Sequence, residues 1–247
     1  MRQLFPVGRD VDPLDAYGRL SSVGPCPSVR LNMIASVDGA ASLEGRSGAL
    51  GGPADKALFA VLRTLADVVL VGAGTMRTEG YGPGRLDEAA RARRRDWGLP
   101  PVPPIAVVTR TCRLDWTSPF FTAAEERPMV VTVASATVAD RARAHRVADV
   151  VVAGETDVDF VRAVHVLRER GHENVLAEGG PRLAAQLSAL DVLDEICLTV
   201  SPVLVGGAAP RILDGPPMTP PHGVELAHVL EADGYLFLRY RREGPDD

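Results

Sequence analysis

The stretch NVLAEGGPRLAAQL, residues 174–187, decides the fold. An apolar run ends in Glu178, a glycine pair breaks it, and Pro181 opens an amphipathic segment, the succession strand, tight turn, helix. DVVLVGAGTMR (67–77) repeats the order, with a buried-strand run directly before Gly72, Ala73, Gly74 and Thr75. Strands feeding helices in this way build an α/β protein with a mostly parallel central sheet.

Outward from these two segments, further strands are expected in SVRLNMIA (28–35), PIAVVTR (104–110), MVVTVA (129–134), DVVVAG (149–154) and LDEICLTVSPVLV (193–205). VELAHVLEA and YLFLRYRR flank Asp233-Gly234, a dipeptide that favours a two-residue hairpin turn. PADKALFAVLRTLA reads as a helix with Ala57, Phe59, Ala60, Val61 and Leu62 on its core side, and DVDFVRAVHVLRERG as one capped by Asp157 and closed at Gly171. GYGPGRLDEAARARRRDWGLPPVPP (80–104) is expected to hold a solvated Arg/Ala-rich helix between loops. Residues 1–25 read as a loosely packed arm and 26–243 as a single domain.

Composition removes several functions. The net charge of -5 lacks the basic excess of a nucleic-acid binder, and no apolar run is long enough to span a membrane, so no nucleic acid or membrane partner is expected. With no long apolar stretch near the N-terminus, a cytoplasmic protein is expected. Cys26, Cys112 and Cys197 never form a CxxC pair and read as small hydrophobes. The five histidines show no ligand spacing, so no metal site is expected. Lys56 is the only lysine, and its place in GGPADKA excludes a GxxxxGK[ST] loop.

Three segments remain as candidates for chemistry. The turn Gly72–Thr75 allows close backbone approach to a phosphate, although Arg77 replaces the third glycine of the dinucleotide fingerprint. Glu178, Gly179, Gly180 and Pro181 combine a carboxylate at a strand end with a helix N-terminus suited to an anion. NMIASVDGA (32–40) places Asn32, Ser36 and Asp38 at one strand end, and Asp38 is a candidate proton donor or orienting carboxylate beside a heterocycle.

Taken in order, RLNMIASVDGAAS, LRTLADVVLVGAGTMR, VVTR, NVLAEGGPRLAAQL and LDEICLTVSPVLVGG resemble the riboflavin-biosynthesis pyrimidine reductases, the RibD C-terminal reductase domain, from about residue 28 to 240. The resemblance implies a dihydrofolate-reductase-like three-layer fold with helices on both faces of the sheet and a C-terminal antiparallel hairpin, commonly dimeric. It implies NADPH as cofactor and a phosphorylated aminopyrimidine as substrate, whose ribosylamino group becomes ribitylamino. Carried over by position, Gly72, Ala73, Gly74, Thr75, Thr109, Arg110, Glu178, Gly179, Gly180, Pro181 and Leu183 would hold the cofactor, the two glycine turns clasping one dinucleotide. Arg110 would pair with the 2′-phosphate. Asn32, Ser36 and Asp38 would face the pyrimidine, Arg63 or Arg182 the substrate phosphate, and Asp38 and Glu178 are the candidate catalytic carboxylates.

The chain also departs from the family. Many bifunctional members carry lysine at the position of Asn32 and an Asp-rich segment at Thr78-Glu79-Gly80, whereas asparagine is the archaeal and fungal choice. Ala49-Leu50-Gly51 stands where Trp-Ile-Ser/Thr is usual, and the zinc-deaminase signature is absent. A pterin or dihydrofolate reductase, and a non-catalytic nucleotide-binding regulatory protein, are the alternatives these departures leave open.

Overall fold

The computed structural model describes residues 1–20 and 28–242. In chain order its elements begin β1 (Arg2–Phe5), β2 (Arg9–Asp10), α1 (Pro13–Tyr17), β3 (Ser28–Ser36), α2 (Pro53–Leu65), β4 (Val68–Gly72), α3 (Ala73–Glu79), α4 (Glu88–Asp96), β5 (Ile105–Val108) and α5 (Pro119–Thr122). They continue with β6 (Met129–Thr132), α6 (Val138–Val147), β7 (Asp149–Val152), α7 (Phe160–Glu169), β8 (Asn174–Ala177), α8 (Pro181–Ala189), β9 (Glu195–Ser201), β10 (Val224–Ala232) and β11 (Tyr235–Arg242). The chain divides into two compact units: Met1–Gly18, Val29–Leu62 and Ala177–Asp247 form the first, Arg19–Ser28 and Arg63–Leu176 the second.

In the first unit the strand order is β2-β1-β10-β11-β9-β3. The antiparallel hairpin β10/β11 turns at Asp233 and Gly234, both at positive φ, and β11 pairs antiparallel with β9. β9 in turn pairs parallel with β3, Arg30 opposite Glu195 and Ser36 opposite Ser201. Along β9 the alternation is inverted. Glu195, Cys197, Thr199 and Ser201 are buried, while Ile196, Leu198 and Val200 are half-exposed.

Glu195 explains the inversion. One oxygen accepts from Arg30 Nε at 2.9 Å, the other from Arg239 Nε at 2.9 Å and also from Arg239 Nη2 and Arg241 Nε. Attraction from these arginines outweighs desolvation and holds the carboxyl below its usual range. Both buried guanidiniums lie over the ring of Tyr17, at 5.7 and 5.8 Å, and donate to the carbonyls of Ala16, Tyr17 and Gly18. The segment expected to be a loose arm is therefore packed along its described part: β1 pairs with β10 and the end of α1 closes over the charges.

The second unit has the order β8-β4-β5-β6-β7, with β4 through β7 parallel. Val68, Val69, Leu70 and Val71 are almost wholly buried, as a parallel strand covered on both faces requires. Asp67 ties the strand starts together, accepting from Arg19 Nη2 at 2.8 Å and from the amides of Glu173 and Asn174. The helix α4 corrects the expectation of a merely solvated surface. Arg94 is fully buried and donates to the carbonyls of Thr64 at 2.9 Å and Pro100 at 2.7 Å.

Three smaller expectations also change. In α2 the buried stripe is Ala54, Leu58, Leu62 and Leu65, whereas Ala57 and Ala60 are exposed. The cap of α7 is Asp159, two residues later than expected, its side chain accepting from the Arg162 amide, while Asp157 pairs with Arg110. Cys112 and Cys197 are free and buried; Cys26 lies outside the described residues. No helix among the described residues is long and apolar enough to cross a membrane.

Removing one partner from a buried ion cluster strands the others in a medium that cannot solvate them. Glu195→Ala is therefore expected to cost about 3–5 kcal/mol of unfolding free energy. Urea denaturation monitored by circular dichroism checks this, with the midpoint falling and the slope unchanged.

Candidate functional site

Three strand ends carry the candidate residues. β3 ends at Ser36, and the chain turns back through Asp38 so that the Ser36 amide donates to the Ala40 carbonyl while the Ala40 amide donates to Ser36 Oγ. The Asp38 side chain accepts from Ser36 Oγ at 2.5 Å, from the Val205 amide at 3.1 Å and from the Gly206 amide at 2.7 Å. These donors, the serine hydroxyl foremost, lower its carboxyl to about 2. Asp38 anchors the segment following β9, reinforced by Val37 N–H donating to the Val203 carbonyl. The SxDG and SPxLxGG segments are thus two halves of one hydrogen-bonded device.

The second strand end is that of β8. Glu178 and Gly179 are buried, and α8 begins at Pro181 with Gly180 as a cap that offers no side chain to its first amides. Gly179 has φ +80, and a Cβ there would lie 2.9 Å from Met33 Sδ. Glycine is therefore required on both conformational and steric grounds. Leu183 is buried within α8. Arg182 is highly exposed and meets Asp214 at 3.3 Å.

The third lies in the second unit, where β4 runs straight into α3. Gly72 caps the helix, Ala73 is buried and Thr75 half-buried. Gly74 differs from Gly179: it is exposed, and a Cβ there would meet nothing within 4 Å. Nothing in the chain itself demands glycine here, so the open space is available to a ligand. Thr109 is buried past the end of β5, its amide bonded to Val131, while Arg110 pairs with Asp157 at 2.9 Å with both side chains mostly exposed. Arg63, in the last turn of α2, stacks 5.6 Å from the Tyr81 ring.

The first unit thus holds Asn32, Ser36, Asp38 and Glu178 through Leu183, and the second holds Arg63, Gly72 through Thr75, Thr109 and Arg110. Against this geometry the comparisons are specific. Residues 27–234 match the model of the RibD C-terminal domain. The chain belongs to the RibD C-terminal domain family.

Two archaeal relatives of this RibD C-terminal domain carry the name 2,5-diamino-6-ribosylamino-4(3H)-pyrimidinone 5′-phosphate reductase. That of Archaeoglobus fulgidus is 29% identical over 192 residues, covering 76% of this chain and 87% of that protein. That of Methanothermobacter thermautotrophicus is 30% identical over 189 residues, covering 76% and 83%. Among solved structures, a pyrimidine reductase-like protein from Corynebacterium diphtheriae aligns with TM-score 0.79 at 25% identity, over 89% of this chain and 93% of that one.

The family departure at Ala49-Leu50-Gly51 acquires a physical account. The buried Leu50 carbonyl accepts from Ser201 Oγ at 2.7 Å and Tyr235 Oη at 3.2 Å. A Cβ at Gly52 would strike the Tyr235 side chain at 2.7 Å, and one at Gly51 would strike Asp55 Oδ2 at 2.6 Å. Asp55, half-buried in the first turn of α2, was not singled out by sequence; two glycines preceding a prolyl helix start were the available signal.

Two outcomes follow from these strand ends. Asp38→Asn should speed hydrogen exchange at the Val205 and Gly206 amides by at least about tenfold, since the amide is a weaker acceptor. Because the folded carboxyl titrates at about 2 instead of 3.8, the anchor is complete above 3.8 and is lost as the pH falls through about 2. Exchange at those amides should accordingly stay slow at pH 4. Gly179→Ala should lower stability by about 1–3 kcal/mol, and the same substitution should cost less when made in a Met33→Ala background, as read by thermal unfolding.

Proposed function

We propose that this chain is an NADPH-dependent reductase of riboflavin biosynthesis that converts the ribosylamino group of a phosphorylated aminopyrimidine to ribitylamino. The preferred form is 2,5-diamino-6-ribosylamino-4(3H)-pyrimidinone 5′-phosphate, with the uracil counterpart as the alternative. The observation that carries this reading is the EGGP turn, where a buried carboxylate, a glycine that tolerates no Cβ and an uncapped helix start follow one another at a strand end. Supporting it are the family membership and the names of the two archaeal relatives.

When bound, NADPH would supply a hydride for the first carbon of the ring-opened ribose. The amides at the start of α8 are suited to a phosphate, and the open space at Gly74 to a close nucleotide contact. Arg110 is assigned to the 2′-phosphate. Its partner Asp157 is an exposed ion pair of the kind that contributes little, so a phosphate can replace it. With Asp38 committed as an anchor, proton management falls to Glu178. Asn32 contributes an amide toward the heterocycle, and Arg63 or Arg182 a guanidinium toward the substrate phosphate. The chemistry balances as one hydride to carbon and one proton to nitrogen.

A homodimer belongs to the same proposal. Ile196, Leu198 and Val200 of β9 and Leu236, Leu238 and Tyr240 of β11 form a half-exposed apolar sheet face in the first unit, which a second copy would cover. Leu198→Glu should then yield monomers by light scattering.

The activity test is the fall of NADPH absorbance with each pyrimidine. Turnover is expected, and Arg110→Ala should raise KM for NADPH about tenfold or more while leaving NADH unaffected. An unchanged NADPH/NADH preference removes the assignment of Arg110, and absence of turnover with both pyrimidines contradicts the proposed activity.

A further inference from the structure

The carboxyl ends of β5, β6 and β7 share one edge of the second unit. The Thr109 amide donates to the Val131 carbonyl, the Ala134 amide to that of Gly154 and the Ser135 amide to that of Glu155, so the segments leaving the three strands are hydrogen-bonded side by side. Open α/β sheets bind their ligands at this end of parallel strands. Two side chains of opposite charge stand there, Arg110 leaving β5 and Asp157 leaving β7, 2.9 Å apart across the end of β6. Exposures of 68% and 74% leave both groups open on their outer side. Arg127 and Asp149 form a comparable pair, but at the opposite, amino end of β6 and β7.

Asp157 is held at that edge by its backbone. The segment after β7 doubles back at Gly154, whose φ is +98 and where a Cβ would collide with the Asp157 carbonyl oxygen. Only glycine permits that approach. The Asp159 amide then donates to the Ala153 carbonyl and the Asp159 carboxylate caps α7, which fixes the chain on the far side of Asp157. One Asp157 oxygen accepts from Arg110 Nη1 and the other from Thr156 Oγ1 at 3.4 Å. A carboxylate has about four lone-pair sites, so two remain for a further donor.

We propose that Asp157 is a specificity-determining residue for the nucleotide, its carboxylate accepting from the adenosine 2′-hydroxyl of NADH and opposing the 2′-phosphate of NADPH. The inference rests on the reading above in which Arg110 meets that phosphate. A carboxylate suits a ribose hydroxyl and a guanidinium suits a phosphate, and this edge carries one of each. With NADH the ion pair stays intact and gains a hydrogen bond. With NADPH the phosphate must approach an arginine that already has an anion 2.9 Å away. The pair therefore narrows the preference for the phosphorylated nucleotide and keeps NADH usable as reductant. Gly154 belongs to the same device, because any side chain there moves the carboxylate away from Arg110.

Titration calorimetry of NADP+ and of NAD+ into the full chain reads this apart from turnover. The comparison is between wild type, Asp157→Asn and Arg110→Ala, with thermal midpoints as the folding control. Asp157→Asn removes the charge and keeps the shape. It should raise the ratio of NADP+ affinity to NAD+ affinity about tenfold, the order expected when one like charge is removed at a surface partly screened by salt. Arg110→Ala should move the same ratio the other way. A folded Asp157→Asn that keeps the wild-type ratio, while Arg110→Ala lowers it, overturns this inference and leaves the assignment of Arg110 in place. An Arg110→Ala ratio equal to that of wild type overturns the phosphate assignment and this inference with it. If Asp157→Asn does not fold, Asp157→Ser is judged by the same ratio. Wild-type protein that takes up neither nucleotide overturns the reductase reading altogether.

Discussion

One carboxylate organises the first unit. Glu195 accepts from Arg30 of β3 and from Arg239 and Arg241 of β11, so its own strand is joined to both neighbours by charge as well as by the backbone ladder. A buried ion cluster of this kind is costly to desolvate and adds little net stability over an apolar core, but it penalises any other register heavily. A one-residue slip of β9 would turn Glu195 outward and bury Ile196 against two unpaired guanidiniums. With that register fixed, Ser36 stands opposite Ser201 and Asp38 is within reach of the Val205 and Gly206 amides.

The same cluster divides the sheet's chemistry between its faces. The polar residues of β9 turn inward, where Thr199 meets Asp55 and Ser201 meets the Leu50 carbonyl. The apolar residues turn outward, where Ile196, Leu198 and Val200 remain half-exposed. A strand that buries its polar side offers an apolar face to a second copy, and the proposed dimer follows from the same inversion.

Much of this architecture was legible in the sequence because it depends on local pattern. Short β-branched runs marked β4 through β8, Asp233-Gly234 marked the hairpin, and Pro181 after two glycines marked the start of α8. What was not legible depends on partners distant along the chain. Asp38 read as a proton donor or orienting carboxylate, and its hold on the segment after β9 was not legible because the amides that engage it lie 167 and 168 residues away. Arg94 read as a surface residue because its acceptors are carbonyls of the last turn of α2 and of the proline segment. In β9 apolar and polar residues alternate, and the arginines of β3 and β11 decide that the polar set turns inward. Asp55 sat unmarked inside an ordinary helical stretch, because the hydroxyl it meets, that of Thr199, is distant along the chain.

The most direct test of the account is reduction of the diaminopyrimidinone ribosylamine phosphate with NADPH deuterated at the transferring carbon of the nicotinamide ring, followed by mass spectrometry of the product. The account predicts a ribitylamino product carrying one deuterium on the first carbon of the former ribose. No reduced product, or a product whose new hydrogen comes from solvent, would contradict it.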